Sequence, residues 1–120
     1  MAAMNESLKR TLSRRQEIDI AVPGAAAGQA KAFPVWFVIE EAQLYLLPAH
    51  GSDTRWYQKV LKRPVLRVKA PGAEAEFQAS AITDAKQISA IVEKFRAKYG
   101  DGGVKLYTKL DVAILCKPQG

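Results

Sequence analysis

One histidine, His50, and one cysteine, Cys116, are the whole nucleophile and metal-ligand inventory of this 120-residue chain outside its carboxylates, hydroxyls and amines. A hydrolytic nucleophile needs a base beside it, and a structural zinc ion needs about four nitrogen or sulfur ligands. Neither set can be assembled here. Walker-type phosphate loops and dinucleotide fingerprints are missing too, because neither glycine pair has the required neighbours. Cys116 sits in an apolar run and reads as core packing.

What remains is a group of loop residues. The stretch "PGAAAGQAK", residues 23–31, places small side chains and two glycines between two strand-like runs, where backbone can come close to a guest. Further on, "AHGSDTRW" sets Gly51 and Ser52 ahead of a helix that opens with Trp56 and Tyr57. Unpaired amides and the positive dipole end make such a helix start a seat for phosphate. The same residues also read as a plain turn and cap. His50 reads either as a hydrogen-bonding group for a ligand or as surface. For Trp56 and Tyr57 the alternatives are stacking platforms or core and subunit contacts.

The elements that must position these residues follow from hydrophobic periodicity. Met4, Leu8 and Leu12 recur every fourth residue among basic side chains, which predicts a short amphipathic N-terminal helix within residues 1–16, packed on the barrel or on a partner. "EIDIAV" has the two-residue period of a half-buried strand. From Lys31 to Ile39 both faces are apolar, with Phe33, Val35 and Phe37 on one and Trp36 and Val38 on the other, predicting a central strand. Pro34 lacks a ladder donor and predicts a bulge or an unpaired backbone within it. "QLYLLP", "VLRVKA" and "AEFQASAI" are further strands. Ser52 or Asp53 can cap a helix that ends at Pro64, with Trp56, Val60 and Leu61 facing inward. A second helix carries Ile88, Ile91, Val92, Phe95 and Tyr99 on one face, capped by Asp84 and ended by Gly100. "VKLYTKLDVAILCK" reads as a long closing strand.

About six strands separated mainly by turns predict a largely antiparallel sheet curled into a barrel, a mainly β (α+β) domain over residues 17–120 with two to three helices. Composition agrees with a single globular domain: 48% of residues are hydrophobic and 25% charged. The net charge of +6 suggests an anionic partner: nucleic acid, an acidic membrane surface or a small phosphorylated cofactor. Aromatic side chains fall at buried phases of their strands, which argues against single-stranded nucleic acid as that partner. A lone cysteine matches a reducing cytoplasm, and no apolar stretch reaches the roughly 20 residues of a membrane helix. Small barrels with apolar outer faces commonly pair, so a homodimer is expected.

This order of elements resembles the flavin-binding split barrel of the pyridoxamine 5'-phosphate oxidase-like superfamily, nearest its deazaflavin-dependent nitroreductase family. Gly24, Gly28, Lys31 and Pro34 fall at the spacing of that family's first binding loop, and "HGS" before Trp56 and Tyr57 is similar to its second. "FRAKYG" ahead of the last strand is similar to small uncharacterised families of the same fold. The resemblance implies an oxidoreductase in which FMN or a deazaflavin carries the hydride, in a pocket at a dimer interface. Lys31 would then pair with a phosphate, Gly51 and Ser52 would donate amides to it, and Trp36 or Trp56 would border the ring. Ala25, Ala26 and Ala27 stand where the family has basic and hydroxyl side chains. That departure leaves open a non-catalytic barrel that has lost flavin binding.

Overall fold

The computed structural model describes residues 6–13, 15–22, 32–40, 43–70 and 73–118. Helix α1 (Glu6–Ser13) leads into β1 (Ile18–Ala21), β2 (Phe33–Val35), β3 (Phe37–Glu40) and β4 (Gln43–Leu46). A 3₁₀ turn (Gly51–Asp53) and α2 (Arg55–Lys62) follow, then β5 (Val65–Ala70), β6 (Ala73–Ile82), α3 (Ala85–Val104) and β7 (Ala113–Pro118).

The seven strands form one sheet in the order β2-β1-β5-β6-β7-β4-β3, and every pairing is antiparallel. Its two end strands, β2 and β3, are separated in the chain by Trp36 alone. Because consecutive Cα atoms are only about 3.8 Å apart, the two ends of the sheet must meet there, and the sheet curls into a nearly closed barrel. This is the antiparallel split barrel expected from the sequence. The run over 31–39, expected as one strand, is divided at Trp36, which raises the count to seven. Pro34 fits the division: β2 pairs with β1 only, so a residue without an amide hydrogen sits where one side of the strand is free.

The alternation predicted for this run holds across the break. Phe37 is sealed inside the barrel with Phe33, Val35 and Ile39 packed against the same interior cluster, whereas Trp36 and Val38 face the outer cluster under α3. Ile18, Ile20, Leu44, Leu46, Leu66, Val68, Phe77, Ile114 and Cys116 complete the interior. Burial pushes the Cys116 thiol pKa up, in keeping with a packing role. Leu12 of α1 joins that interior, so the helix packs on the barrel.

In α3, Asp84 accepts a hydrogen bond from the Gln87 amide at 3.0 Å, and Ile88, Ile91, Val92 and Phe95 are buried. Gly100, at φ 82°, breaks the helix as anticipated, and a last turn follows to Val104. Two expectations need correcting. The closing strand begins at Ala113 and not near Val104: the intervening backbone bonds locally, Leu106 to Gly103 and Tyr107 to Val104, and Thr108 donates to Ala49. Leu61 points outward at 51% exposure, while Tyr57 takes the inward place beside Val60.

Candidate functional site

A cavity of about 330 Å³ opens beside the barrel seam. Phe33, Pro34 and Val35 of β2 supply one wall, and Trp36 stands at the kink itself. Trp56 at the start of α2, with Thr54 before it, supplies the opposite side, and Leu106 and Tyr107 come from the turn after α3. Glu17 is the charged residue on the lining.

Packing behind the cavity fixes Trp36. Its ring stacks on Tyr99 with centroids 4.3 Å apart and planes at 6°, and Tyr107 meets it edge-on at 6.2 Å. Gly103 makes room for the benzo edge, because a Cβ there would lie 3.0 Å from Trp36 Cζ3. Trp56 leans against Phe33 at 6.4 Å. Each offset or edge contact adds about 0.5–1.5 kcal/mol beyond burial, so these rings are held before any guest arrives. Among the described residues no partner holds the indole N–H of Trp36 or Trp56 or the hydroxyl of Tyr107, and none of the three is sealed from solvent. Burial raises the Tyr107 pKa, with Tyr99 adding to the effect, so the phenol keeps its proton. The site therefore joins flat apolar walls to three unspent donors.

The seam is fastened from α3. Tyr99 Oη accepts from the Phe37 amide at 3.0 Å and has the carbonyls of Gln16 (2.7 Å) and Phe37 (2.9 Å) within donating distance. Lys98 Nζ donates to the same Phe37 carbonyl at 2.9 Å and lies 3.6 Å from the centre of the Phe37 ring. These are the residues of "FRAKYG" whose role the sequence left open.

Of the expected site residues, Pro34, Trp36 and Trp56 come together on this cavity. Lys31, Gly24, Gly28 and the three alanines lie outside the described residues. His50, Gly51, Ser52 and Tyr57 are not on the lining. Tyr57 is core at 4% exposure. The His50 amide donates to Thr54 Oγ1, and its Nδ1 lies 2.8 Å from Thr108 Oγ1.

The amides expected to be free for a phosphate are occupied. Gly51 donates to the Pro48 carbonyl at 3.0 Å. Ser52 donates its amide to Asp111 Oδ1 at 2.9 Å and its hydroxyl to Oδ2 at 2.6 Å. The Ser52 hydroxyl is the main cause holding the Asp111 carboxyl below its usual range, with its amide and Lys109 adding to it. Gly51 is required for this contact, since its φ is +57° and a Cβ would stand 2.2 Å from Asp111 Oδ1. Nor do Ser52 or Asp53 cap α2: Thr54 is the N-cap, and no side chain caps the helix. Asp111 was not legible as a partner because 59 residues separate it from Ser52.

No group of three or more His, Cys, Asp or Glu residues that could hold a metal is found among the described residues, and no described helix is long and apolar enough to cross a membrane.

Comparison with solved structures gives the same fold. A structure described as an F420-H2-dependent reductase aligns with TM-score 0.67 and 16% identity over 86% of this chain and 95% of its own. The HutZ heme storage protein of Vibrio cholerae aligns with TM-score 0.71 and 14% identity over 98% and 92%. A Listeria innocua protein whose description names pyridoxamine 5'-phosphate oxidase aligns with TM-score 0.68 and 18% identity over 96% and 93%. At these identities the likeness establishes the architecture alone, the antiparallel split barrel. No curated protein matches the chain. A family model described as "Uncharacterized protein conserved in bacteria (DUF2255)" matches residues 8–112, and the chain belongs to that family.

Proposed function

We propose that the cavity at the seam seats the ring of FMN or a deazaflavin, and that the chain is a cofactor-binding oxidoreductase. The observation that carries this reading is the lining itself: Trp36 and Trp56 are flat apolar walls, and their N–H groups and the Tyr107 hydroxyl are donors without protein partners. The volume lies at the lower end of the roughly 300–1,000 Å³ typical of small-ligand sites, enough for a planar ring system and little else.

The fit is good for a ring and incomplete for its anionic tail. Among the described residues no cation lines the cavity, and Glu17 would repel a phosphate placed there. The tail's charge therefore calls for a cation from outside this lining, and Lys31 is the residue that pairs with it. When bound, such a group supplies hydride transfer. The protein's share is to bind and orient: the Trp36–Tyr99 stack fixes one wall, Tyr107 donates to a ring acceptor, and Leu47 with Val35 excludes water. Leu106, at the mouth and 70% exposed, is where a second copy of the chain would complete the enclosure as a homodimer.

A second reading, a barrel that no longer binds flavin, draws on one observation: an internal carboxylate, Asp111, occupies the Ser52 amide and hydroxyl. Titration of the tryptophan fluorescence with FMN and with riboflavin separates the two. Saturable quenching by both supports the first reading, and Lys31→Ala then weakens FMN by about 10- to 150-fold, the worth of one charge-assisted contact, while leaving riboflavin unchanged. Quenching by neither, nor by a deazaflavin, supports the second.

A further inference from the structure

A second cavity, of about 400 Å³, lies between the end of α1, β3 and α3. Its lining includes Ser13, Phe37, Ile39, Lys94 and Lys98. Lys94 and Lys98 are four residues apart on α3 and so share one helix face. Their surroundings differ. Lys94 is paired with Glu40 of β3. Lys98 has no carboxylate partner among the described residues; its amine rests on the Phe37 carbonyl and against the Phe37 ring, with the Tyr99 ring 5.1 Å away.

We infer that Lys98 is the reactive amine of a carbonyl-binding site, taking a small aldehyde into this second cavity as a Schiff base. A lysine desolvated against an apolar ring is an arrangement that yields a nucleophilic amine near neutral pH. One N–H remains on the Phe37 carbonyl while the nitrogen lone pair attacks the aldehyde carbon. The carbinolamine then loses water, two amine hydrogens leaving with the carbonyl oxygen overall, and a C=N bond replaces C=O without oxidant or reductant. Burial lowers the Lys98 pKa to about 8, so a substantial fraction is neutral at that pH. Among the described residues, the titratable groups nearest it on α3 are Lys94 and Tyr99; Glu40 on β3 and Tyr45 on β4 act on Lys94, and Glu17 ahead of β1 acts on Tyr99.

The alternative is a lysine that merely braces the seam, and trapping distinguishes the two. The folded protein is treated at pH 7 with sub-stoichiometric glycolaldehyde and, separately, glyoxylate, each with cyanoborohydride, and the adducts are mapped by peptide mass. The expected result is Lys98 as the dominant adduct, at least about fivefold above any surface lysine, with a labelling rate that rises through pH 8 and levels off. Preference for glyoxylate over glycolaldehyde would assign the Lys94 ammonium to the aldehyde's carboxylate. Lys98→Arg keeps the cation and the carbonyl contact and abolishes the adduct. Labelling spread evenly over the lysines in the wild-type protein overturns the inference, as does an unchanged adduct yield in Lys98→Arg.

Discussion

Gly51 is the residue whose replacement should be felt most sharply for its size. An alanine there would have to hold φ +57° and would meet Asp111 Oδ1 at 2.2 Å, so it gives up both backbone comfort and the Ser52–Asp111 contact. Gly51→Ala is expected to lower stability by about 1–3 kcal/mol in urea unfolding, and a change within a few tenths would show that the loop relaxes freely. Lys98 sets the alkaline behaviour. Its pKa falls from 10.5 unfolded to about 8 folded, so between those values the unfolded chain binds more protons and stability rises with pH. Tyr99, raised to about 12, works in the opposite sense above pH 10, where only the unfolded chain begins to ionise. The buried Cys116 thiol opposes Lys98 from about pH 9 upward and Tyr107 joins it above pH 10, so thermal melts should show stability climbing between pH 8 and 9, a climb that Lys98→Met removes. Equal slopes in the two proteins would contradict the assignment of that window to Lys98.

At the scale of elements, the barrel depends on how the ends of β2 and β3 are held together around Trp36. Tyr99 Oη meets the Phe37 amide and the Gln16 carbonyl, so Tyr99→Phe, which keeps the Trp36 stack, should cost about 1–3 kcal/mol and expose the cavity wall to faster amide exchange at Phe37. An unchanged exchange rate there would mean that β4 alone secures the seam. Much of this scaffold could be read from the chain. The alternation of Phe33, Val35 and Phe37 against Trp36 and Val38 was visible, as were the Asp84 cap and the stop at Gly100. The break at Trp36 was hidden because a strand covered on both faces has the same apolar pattern whether continuous or divided. Val104, Leu106 and Leu110 imitate a strand period, which is why the closing element looked as if it began nine residues earlier than it does. The occupancy of the Ser52 amide and the bracing of Phe37 by Lys98 lay beyond periodicity altogether, since each joins a side chain to backbone about 60 residues away.

For the whole molecule, the split barrel brings together Pro34, Trp36 and Trp56, which are far apart in sequence or on different elements, with Leu106 and Tyr107, which sequence reasoning did not single out. Among the described residues the wall is aromatic, the donors are unspent and no cation lines the cavity, so it suits a flat hydrogen-bond acceptor better than a free phosphate. If a second copy closes the mouth, sedimentation will give twice the chain's mass, and Leu106→Glu will return it to the monomer; a wild-type monomer at 0.1 mM would exclude that closure. The most direct test is a crystal structure of the protein saturated with FMN or a deazaflavin. The account predicts the ring within about 4 Å of Trp36 and Trp56, with an acceptor atom on the Tyr107 hydroxyl. A ring bound away from the seam, or an empty cavity at saturating ligand, would contradict it.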